Sequence, residues 1–356
     1  MRAIAALAAA CCVAAAGCAG ERTAPDGRAS APASEAAPAV DAFEYRRIVM
    51  GAECRLVLHA ASQATADAAA RAAFARLAAI EESLSDWMPS SEVRSLPTEP
   101  GRTVSVSPIL AEALAASIEF SRASDGAFDP AIGALTTLWR SARRDGRVPG
   151  DAEQQACRAR SGIDAVRFDA GARTYAITRP GIELDFGGIG QGIGADAALA
   201  AVRDAGIASA LVDLSGDIAV SAPPPGRTAW RIELDDPQHT VLELSDAAVT
   251  TSGDRFQHLD APGAERGATR RLSHILDPRT GRPLSTRTEV TVLAPTATEA
   301  DAWATALSVL GPERGSEVLR AHPRLAARWR REEIRPGGTG RISETVTRGR
   351  ESPRFP

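Results

Sequence analysis

The sequence predicts an α+β fold with mixed, mostly antiparallel sheets and packed helices. The chain has 356 residues, 44% of them hydrophobic, which is enough to bury a sizeable core in one large or two modest domains. Helix-like and strand-like segments are intermixed along it. Residues 230–234 and 241–244 alternate apolar and polar side chains, as half-buried antiparallel strands do. This pattern favours an α+β fold over a regular doubly wound sheet.

Capping residues and apolar spacing mark the predicted elements in order. Ser107-Pro108 is typical of an N-cap followed by a first-turn proline, and Thr298 is predicted to cap a helix that Gly311-Pro312 ends. The predicted helices cover residues 64–85, 108–124, 192–205 and 298–310. The predicted strands cover residues 45–60, 165–167, 174–178, 182–186, 208–214, 230–234, 241–244 and 288–294. Residues 331–356, rich in Arg, Gly, Thr and Pro, are predicted to be a flexible tail.

The first eighteen residues have the layout of a secretory signal peptide. Arg2 is followed by an apolar run that ends at Ala15-Ala-Gly-Cys18, and these small residues resemble the lipobox of bacterial lipoproteins, in which the cysteine is lipidated. Ala15 stands where the lipobox usually has leucine, so cleavage of the signal peptide without lipidation remains an alternative. Residues 19–42 are predicted to be a disordered linker. We therefore expect an exported protein at the periplasmic face of a bacterial membrane, lipid-anchored through Cys18.

Composition narrows the possible functions. The net charge is −4, so no basic surface indicates nucleic-acid binding. All 41 cationic residues are arginine, and the absence of lysine excludes Schiff-base chemistry and a P-loop. No segment after the signal is long and apolar enough to span a bilayer. Cys54 and Cys157 could pair in an oxidising compartment or remain two isolated buried thiols.

The densest motif is Glu183-Leu-Asp-Phe-Gly-Gly-Ile-Gly-Gln-Gly192, an acid followed by glycines. Within it begins a G-x-G-x-x-A dinucleotide fingerprint, with Asp213 near the distance expected of a ribose-binding acid. Alternatively, the glycines let the main chain approach a ligand, and the helix amides after Gly192 suit a pyrophosphate. A third interpretation is a glycine-rich turn with Asp185 capping the next helix.

Asp301 and Thr305 stand four residues apart, so both side chains share one helix face. A hard cation such as Mg²⁺ prefers oxygen ligands and needs few protein groups when phosphates and water complete its shell. Alternatively, Asp301 is a first-turn acid that favours the helix dipole and Thr305 is a core hydroxyl. Together with the glycine-rich motif, the pair indicates a divalent metal beside a phosphate-bearing ligand.

Two further motifs carry a histidine and aromatic rings. His274 lies just before a turn at Pro278 and Gly281, where it could be a general base or a surface residue. Residues 125–130 combine acids, an aromatic ring and proline. Trp87 follows the first long helix, and its indole face could stack on a flat ring or belong to the core.

Taken in order, these segments resemble the FAD:protein FMN transferase family, also called the ApbE family. The resemblance covers roughly residues 45–319. The residues that carry it are Met50-Gly51, Ser83-x-Ser85, Gly126-Ala-Phe-Asp-Pro130, Leu138-Trp139, 184–192, 211–217, Thr251-Ser-Gly253, 273–281 and 300–307.

The resemblance implies a transferase domain over residues 43–330, with a flavin and metal site in a cleft. The enzyme would cleave its substrate FAD, attach FMN through a phosphoester to a threonine of a partner redox protein, and release AMP. By position, Mg²⁺ would be bound by Asp301, Thr305 and the carbonyl of Gly188. Asp301 and His274 would be catalytic, with His274 taking the proton from the acceptor hydroxyl. FAD would contact Met50, Trp87, Ala127, Phe128, Asp129, Asp185, Gln191, His274 and Ile275.

Two positions depart from the family pattern. The family usually has lysine at Gln191 and often tyrosine at Trp87, and a neutral amide cannot bring positive charge to a phosphate. Two rival functions therefore stay open: an FAD pyrophosphatase that yields FMN and AMP, and a non-catalytic flavin-binding lipoprotein. The presence of Asp301, Thr305 and His274 argues against the second, because passive binding needs neither a metal nor a base.

Overall fold

An eight-stranded antiparallel sheet is the centre of the fold. The computed structural model describes residues 40–255, 257–262, 269–334 and 340–355. The predicted signal peptide, the lipobox at Cys18 and residues 19–39 of the predicted linker lie outside these ranges. Residues 40–42 do not belong to a linker as predicted, because the first strand begins at Asp41.

The strands are named in chain order. They are β1 (Asp41–Val49), β2 (Ala52–Ala60), β3 (Val104–Ser105), β4 (Val166–Asp169), β5 (Thr174–Ile177), β6 (Ser209–Leu214), β7 (Asp217–Val220), β8 (Trp230–Glu233), β9 (Val241–Leu244), β10 (Ala247–Gly253), β11 (His258–Pro262), β12 (Thr269–Ser273), β13 (Leu276–Asp277), β14 (Arg282–Pro283), β15 (Arg287–Ala294), β16 (Ala326–Ile334) and β17 (Gly340–Arg348). The helices are α1 (Gln63–Leu84), α2 (Pro108–Ala123), α3 (Gly133–Asp145), α4 (Asp151–Ala159), α5 (Gly190–Asp204) and α6 (Ala297–Leu319).

The central sheet has the order β1-β2-β6-β7-β10-β15-β16-β17, and every neighbouring pair is antiparallel. The smaller sheets, β3-β5-β4, β8-β9, β11-β12 and β13-β14, are antiparallel as well. The predicted α+β class is confirmed. A dinucleotide-binding unit needs parallel strands around its helix, and none of the described strands supplies a parallel pair, so that alternative is wrong.

Helices α1, α5 and α6 pack together over one face of this sheet. Their contact surface is built from small and aliphatic residues, including Ala69, Leu77, Ala198 and Leu307, which let helices approach the sheet closely. The β8–β9 hairpin packs on a second cluster around Trp230. A third cluster joins α3 to β11, β12 and β13.

The capping prediction for α2 is confirmed and the one for α6 is wrong. The Ser107 hydroxyl accepts from the Leu110 amide at the start of α2. Helix α6 is instead capped by Thr296, whose hydroxyl accepts from the Glu299 amide. Thr298, the predicted cap, donates its hydroxyl to Asp196 on α5. At Gly311 the chain takes the non-helical angles φ 73° and ψ 174°, after which the helix resumes to Leu319.

Two strand predictions and the tail prediction are corrected. Residues 45–60 form two strands, β1 and β2, because Met50 and Gly51 adopt positive φ and turn the chain. Residues 182–186 form no strand: the Asp185 amide donates to the Pro130 carbonyl, without a continuing ladder. The flexible-tail prediction is wrong for β17, which pairs with β16 along its whole length, and Phe355 beyond it is buried.

Cys54 and Cys157 are both free and buried, so the possible disulfide is not formed. Burial raises the pKa of the Cys54 thiol to about 12. Among the described residues, no helix is both long and apolar enough to cross a membrane.

Candidate active site

The glycine-rich turn before α5 lies directly against α6. A Cβ atom built on Gly188 would stand 2.9 Å from Thr305 Oγ1 and 3.4 Å from the ring of Phe128. Only a residue without a side chain lets the main chain pass so near to Thr305. Gly188 and Thr305, both predicted metal ligands, are therefore neighbours.

Asp301 joins α6 to the first turn of α5. The Gly192 amide donates to Asp301 Oδ2 across 3.0 Å, which satisfies one of the amides that a helix N-terminus leaves free. A Cβ on Gly192 would stand 2.9 Å from Asp301 Cβ and 2.7 Å from the carbonyl carbon of Ala297. The predicted metal ligand thus engages the amide of Gly192, directly before the amides predicted to suit a pyrophosphate.

Gly192→Ala is expected to destabilise the fold by about 2–3 kcal/mol, because the added methyl group meets main-chain atoms of Ala297. Gly190→Ala is the matched control on the same helix. Its Cβ would meet only Phe186 Cβ, at 3.8 Å, and alanine favours a helix over glycine by about 1 kcal/mol. Urea unfolding followed by circular dichroism compares the two. Equal stability would contradict the close approach of α5 and α6 at Gly192.

A second buried carboxylate, Asp217, lies near Asp301. Thr250 Oγ1 donates to Asp217 Oδ1 across 2.6 Å. Burial raises the pKa of Asp217 to about 7. Burial, and then the charge of Asp217, raise the pKa of Asp301 well above its ordinary value.

These two carboxylates have the chemistry of a cation site. Across the described ranges, neither Asp217 nor Asp301 has an arginine partner. The same ranges hold no group of three or more His, Cys, Asp or Glu side chains that could hold a metal ion. Carboxylate, hydroxyl and carbonyl oxygens are the donors at hand, and they are the kind that Mg²⁺ prefers. Buried like charges favour such a cation.

Met50 contacts α5, the helix that follows the glycine-rich turn. It occupies the turn between β1 and β2 with φ of 55°. A Cβ on Gly194 would stand 3.0 Å from Met50 Sδ. The turn therefore rests on α5 two residues beyond Gly192.

Asp185 is held by an arginine that sequence analysis did not single out. Arg140 Nη2 donates to Asp185 Oδ2 across 2.9 Å, and the Gly187 amide donates to Asp185 Oδ1 across 2.7 Å. The same guanidinium pairs with Asp86 and lies 4.6 Å from the ring centroid of Trp87. Trp87 is 73% exposed. An indole supported on one face by a guanidinium can stack a flat ring on the other.

His274 is partly buried in the loop between β12 and β13. Its Nδ1 lies 3.2 Å from the Gln257 carbonyl oxygen. A carbonyl only accepts, so Nδ1 carries the proton and the lone pair of the neutral ring is on Nε2. Burial lowers the pKa of His274, and nearby Arg143 and Arg140 lower it further, against the Gln257 carbonyl and the Asp254 carboxylate. The ring is thus neutral and able to accept a proton near pH 7.

The side chains of residues 127–129 are either buried or hydrogen-bonded within the protein. Ala127 and Phe128 are buried. Both carboxylate oxygens of Asp129 accept from main-chain amides, one from Ala131 across 2.8 Å and the other from Ile163 across 2.9 Å. The Asp129 side chain therefore holds the loop in shape, and any ligand contact here falls to other atoms.

The last two predicted FAD contacts are Ile275 and Gln191. Ile275 is buried, and its amide donates to Ser273 Oγ across 3.1 Å. Gln191 is partly buried in the first turn of α5. Its side chain makes no hydrogen bond within the ranges that the structure describes.

The structure brings eight of the twelve predicted site residues together in two groups, joined by residues 185–188. The first group comprises Met50, Phe128, Gly188, Asp301 and Thr305. The second comprises Trp87, Asp185 and His274. Arg140 contacts Trp87 and Asp185, and its charge contributes to lowering the pKa of His274. No site role was predicted from the sequence for Asp86, Arg140, Arg143, Asp217 or Thr250. Two sequence features could have indicated some of them: Asp217 directly follows the turn after β6, and Arg140 directly follows Leu138-Trp139.

A cavity of about 600 Å³ lies elsewhere, between α1, α2 and α5. Ile80, Ile109 and Ile193 contribute apolar walls, and Asp196 lies at its edge. It contains none of the predicted site residues. The candidate site is therefore the one formed by the two groups of residues described above, and not this cavity.

The fold agrees with the comparisons with known proteins. The model of the ApbE family matches residues 50–329, and the chain belongs to that family. A Treponema pallidum FAD:protein FMN transferase is 31% identical over 308 residues, 80% of this chain and 83% of that protein. The Escherichia coli K12 FAD:protein FMN transferase is 30% identical over 226 residues.

That Escherichia coli match spans 60% of this chain and 63% of the relative's length. Among solved structures, the apo form of the Pseudomonas stutzeri flavinyl transferase ApbE superimposes with a TM-score of 0.73 at 27% identity. It covers 86% of this chain and 95% of that one. The ApbE protein from Thermotoga maritima gives a TM-score of 0.70 at 28% identity.

Proposed function

We propose that this chain is an FAD:protein FMN transferase that requires Mg²⁺. One observation carries the proposal: residues 188–192 bring Gly188 and Gly192 against Thr305 and Asp301. That contact joins a carboxylate, a hydroxyl and main-chain oxygens at the start of a helix. The family membership and the names of the relatives support the same activity.

Asp301, Thr305 and the Gly188 carbonyl would hold the ion, with Asp217 adding charge beside them. When bound, Mg²⁺ neutralises negative charge that develops on a pyrophosphate as it is cleaved. The residues fit this role because Asp217 and Asp301 are buried, acidic and without an arginine partner among the described residues.

His274 would be the general base of the transfer. Its Nε2 takes the proton of the acceptor hydroxyl, whose oxygen forms a bond to the FMN phosphorus of FAD. The bond from that phosphorus to the bridging oxygen breaks, and AMP leaves with the oxygen. Positioned acid–base groups of this kind contribute about 10²- to 10⁴-fold.

Trp87 and Arg140 would hold the flavin end of FAD. The indole offers its free face to the isoalloxazine ring, while Arg140 is fixed beneath it by Asp86 and Asp185. Stacking on a rigid aromatic ring orients a flat ligand with little loss of conformational entropy.

The acceptor is a threonine-bearing segment of a redox protein, and the enzyme acts outside the cytoplasm. Residues 1–18 support export by their signal-like layout, and Cys18 supports lipid anchoring. Expression of the full chain followed by mass spectrometry of its N-terminus tests this. A diacylglyceryl group on Cys18 is expected; an N-terminus cut elsewhere without lipid would refute the anchor.

Transfer and hydrolysis are separated by their product ratio. We expect AMP release from FAD to be matched mole for mole by flavin attached to the acceptor. AMP and free FMN formed in equal amounts with an unmodified acceptor would instead identify the pyrophosphatase. FAD that binds and stays intact would identify the non-catalytic carrier.

A further inference from the structure

The site needs positive charge that its predicted ligand contacts do not supply. Phosphoryl groups in transfer enzymes are held by cationic side chains as well as by metal. This chain has no lysine, so guanidinium groups are its permanent cations. Gln191, in the first turn of α5, is neutral. A permanently charged side-chain cation in this site can therefore only be an arginine.

Arg140 is already committed to other partners. It pairs with Asp86 and with Asp185 while lying against Trp87. Two carboxylates more than balance one guanidinium, so this cluster carries no surplus positive charge. Arg140 supports Trp87 and pairs with Asp185, and it has no positive charge left to bind a substrate phosphate.

Arg143 stands one turn further along α3, on the same face as Arg140. It is partly buried, and across the described ranges it has neither an ion pair nor a hydrogen bond. Burial, and then the charge of Arg140, lower its pKa. The neighbouring Arg144 differs: its side chain is 75% exposed and pairs with Asp145.

Helix α3 packs against the segment that carries His274. Trp139 Nε1 donates to the Gly281 carbonyl across 3.2 Å. Leu135 and Trp139 share a buried cluster with Leu272 and Leu276, on either side of the histidine. The charge of Arg143 consequently acts on His274 and lowers its pKa.

We propose that Arg143 is a phosphate-binding residue that holds a phosphate of the flavin nucleotide next to His274. The inference rests on the proposed function, and it assigns the site's cation to α3. An unpaired, partly buried guanidinium beside a proton acceptor gains a charge-assisted hydrogen bond when the anion arrives. Its charge adds to the effect of burial in lowering the pKa of His274, which favours the neutral ring that a base needs.

The test compares nucleotide binding by full-length wild type, Arg143→Gln, Arg143→Lys and the control Arg144→Gln. Titration calorimetry measures Kd for FAD and for riboflavin, which has the same ring and no phosphate. We expect Arg143→Gln to weaken FAD binding about tenfold and to flatten its salt dependence. Riboflavin binding should stay unchanged, Arg143→Lys should recover part of the loss, and Arg144→Gln should match wild type.

Equal losses for FAD and riboflavin would overturn the inference and make Arg143 a structural residue. An unchanged Kd for FAD would overturn it as well, even if wild type transfers FMN. A wild type that transfers nothing, yet prefers FAD over riboflavin through Arg143, would support this inference and refute the transferase. A wild type that binds no flavin would refute both.

Discussion

Asp301→Asn is expected to reduce Mg²⁺-dependent FMN transfer by about 10³-fold, the size of effect found when a group that stabilises transition-state charge is removed. The carboxylate is the one charged ligand among the predicted metal contacts Asp301, Thr305 and Gly188. Asparagine keeps the shape and an oxygen able to accept from the Gly192 amide, which Asp301 engages at 3.0 Å. The change therefore removes charge and leaves the packing in place.

Thermal unfolding separates loss of metal binding from loss of fold. Without metal, Asp301→Asn should be at least as stable as wild type, because it relieves repulsion from Asp217 at a buried position. Mg²⁺ should raise the Tm of wild type and leave that of the variant unchanged. The opposite pattern, with full activity and a normal Mg²⁺ response in Asp301→Asn, would remove the metal assignment.

His274→Ala is expected to slow transfer by about 10²- to 10⁴-fold while FAD binding stays within about twofold of wild type, because a general base acts on the acceptor hydroxyl. His239→Ala is the matched control. Its side chain is 79% exposed and pairs with Glu233 on the β8–β9 hairpin. Single-turnover rates and FAD titrations of both variants check the prediction. A loss of FAD binding in His274→Ala would recast the residue as a ligand contact.

The pKa of His274 should also determine how the rate of transfer depends on pH. A base works in its neutral form, so activity falls as the pH drops through the pKa of His274. Burial and the arginines lower that pKa, and the acid limb of kcat should therefore lie below the ordinary histidine value of about 6.5. His274→Ala should lose this limb. An acid limb above that value in wild type would contradict the neutral imidazole.

Much of the local structure could be predicted because its causes are local. The Ser107 cap, the apolar stripe of α1 and the four-residue spacing of Asp301 and Thr305 depend on neighbours in the sequence. The start of α6 could not be predicted, because Thr296 and Thr298 are both capable caps. The choice depends on Asp196, 102 residues away from Thr298.

The missed parts of the site depend on distant partners. Asp217 matters because the sheet carries it to Asp301, and Arg140 because it reaches Asp185, 45 residues later. Residues 182–186 are apolar enough for a strand, yet the chain beside them at Pro130 and Gly133 forms only isolated hydrogen bonds. The sequence predicts a tail at β17 because most residues of this segment are Arg, Ser, Glu or Thr, which an edge strand tolerates on its exposed faces.

The most direct test is the intact mass of a threonine-bearing acceptor after incubation with this protein and FAD, with Mg²⁺ in one sample and EDTA in the other. We expect the acceptor to gain the mass of one FMN less one water in the Mg²⁺ sample alone, with fragmentation locating the added group on threonine. An acceptor modified equally in EDTA would contradict the Mg²⁺ requirement, and a mass unchanged in both samples, while a related enzyme modifies the same acceptor, would contradict the transferase activity.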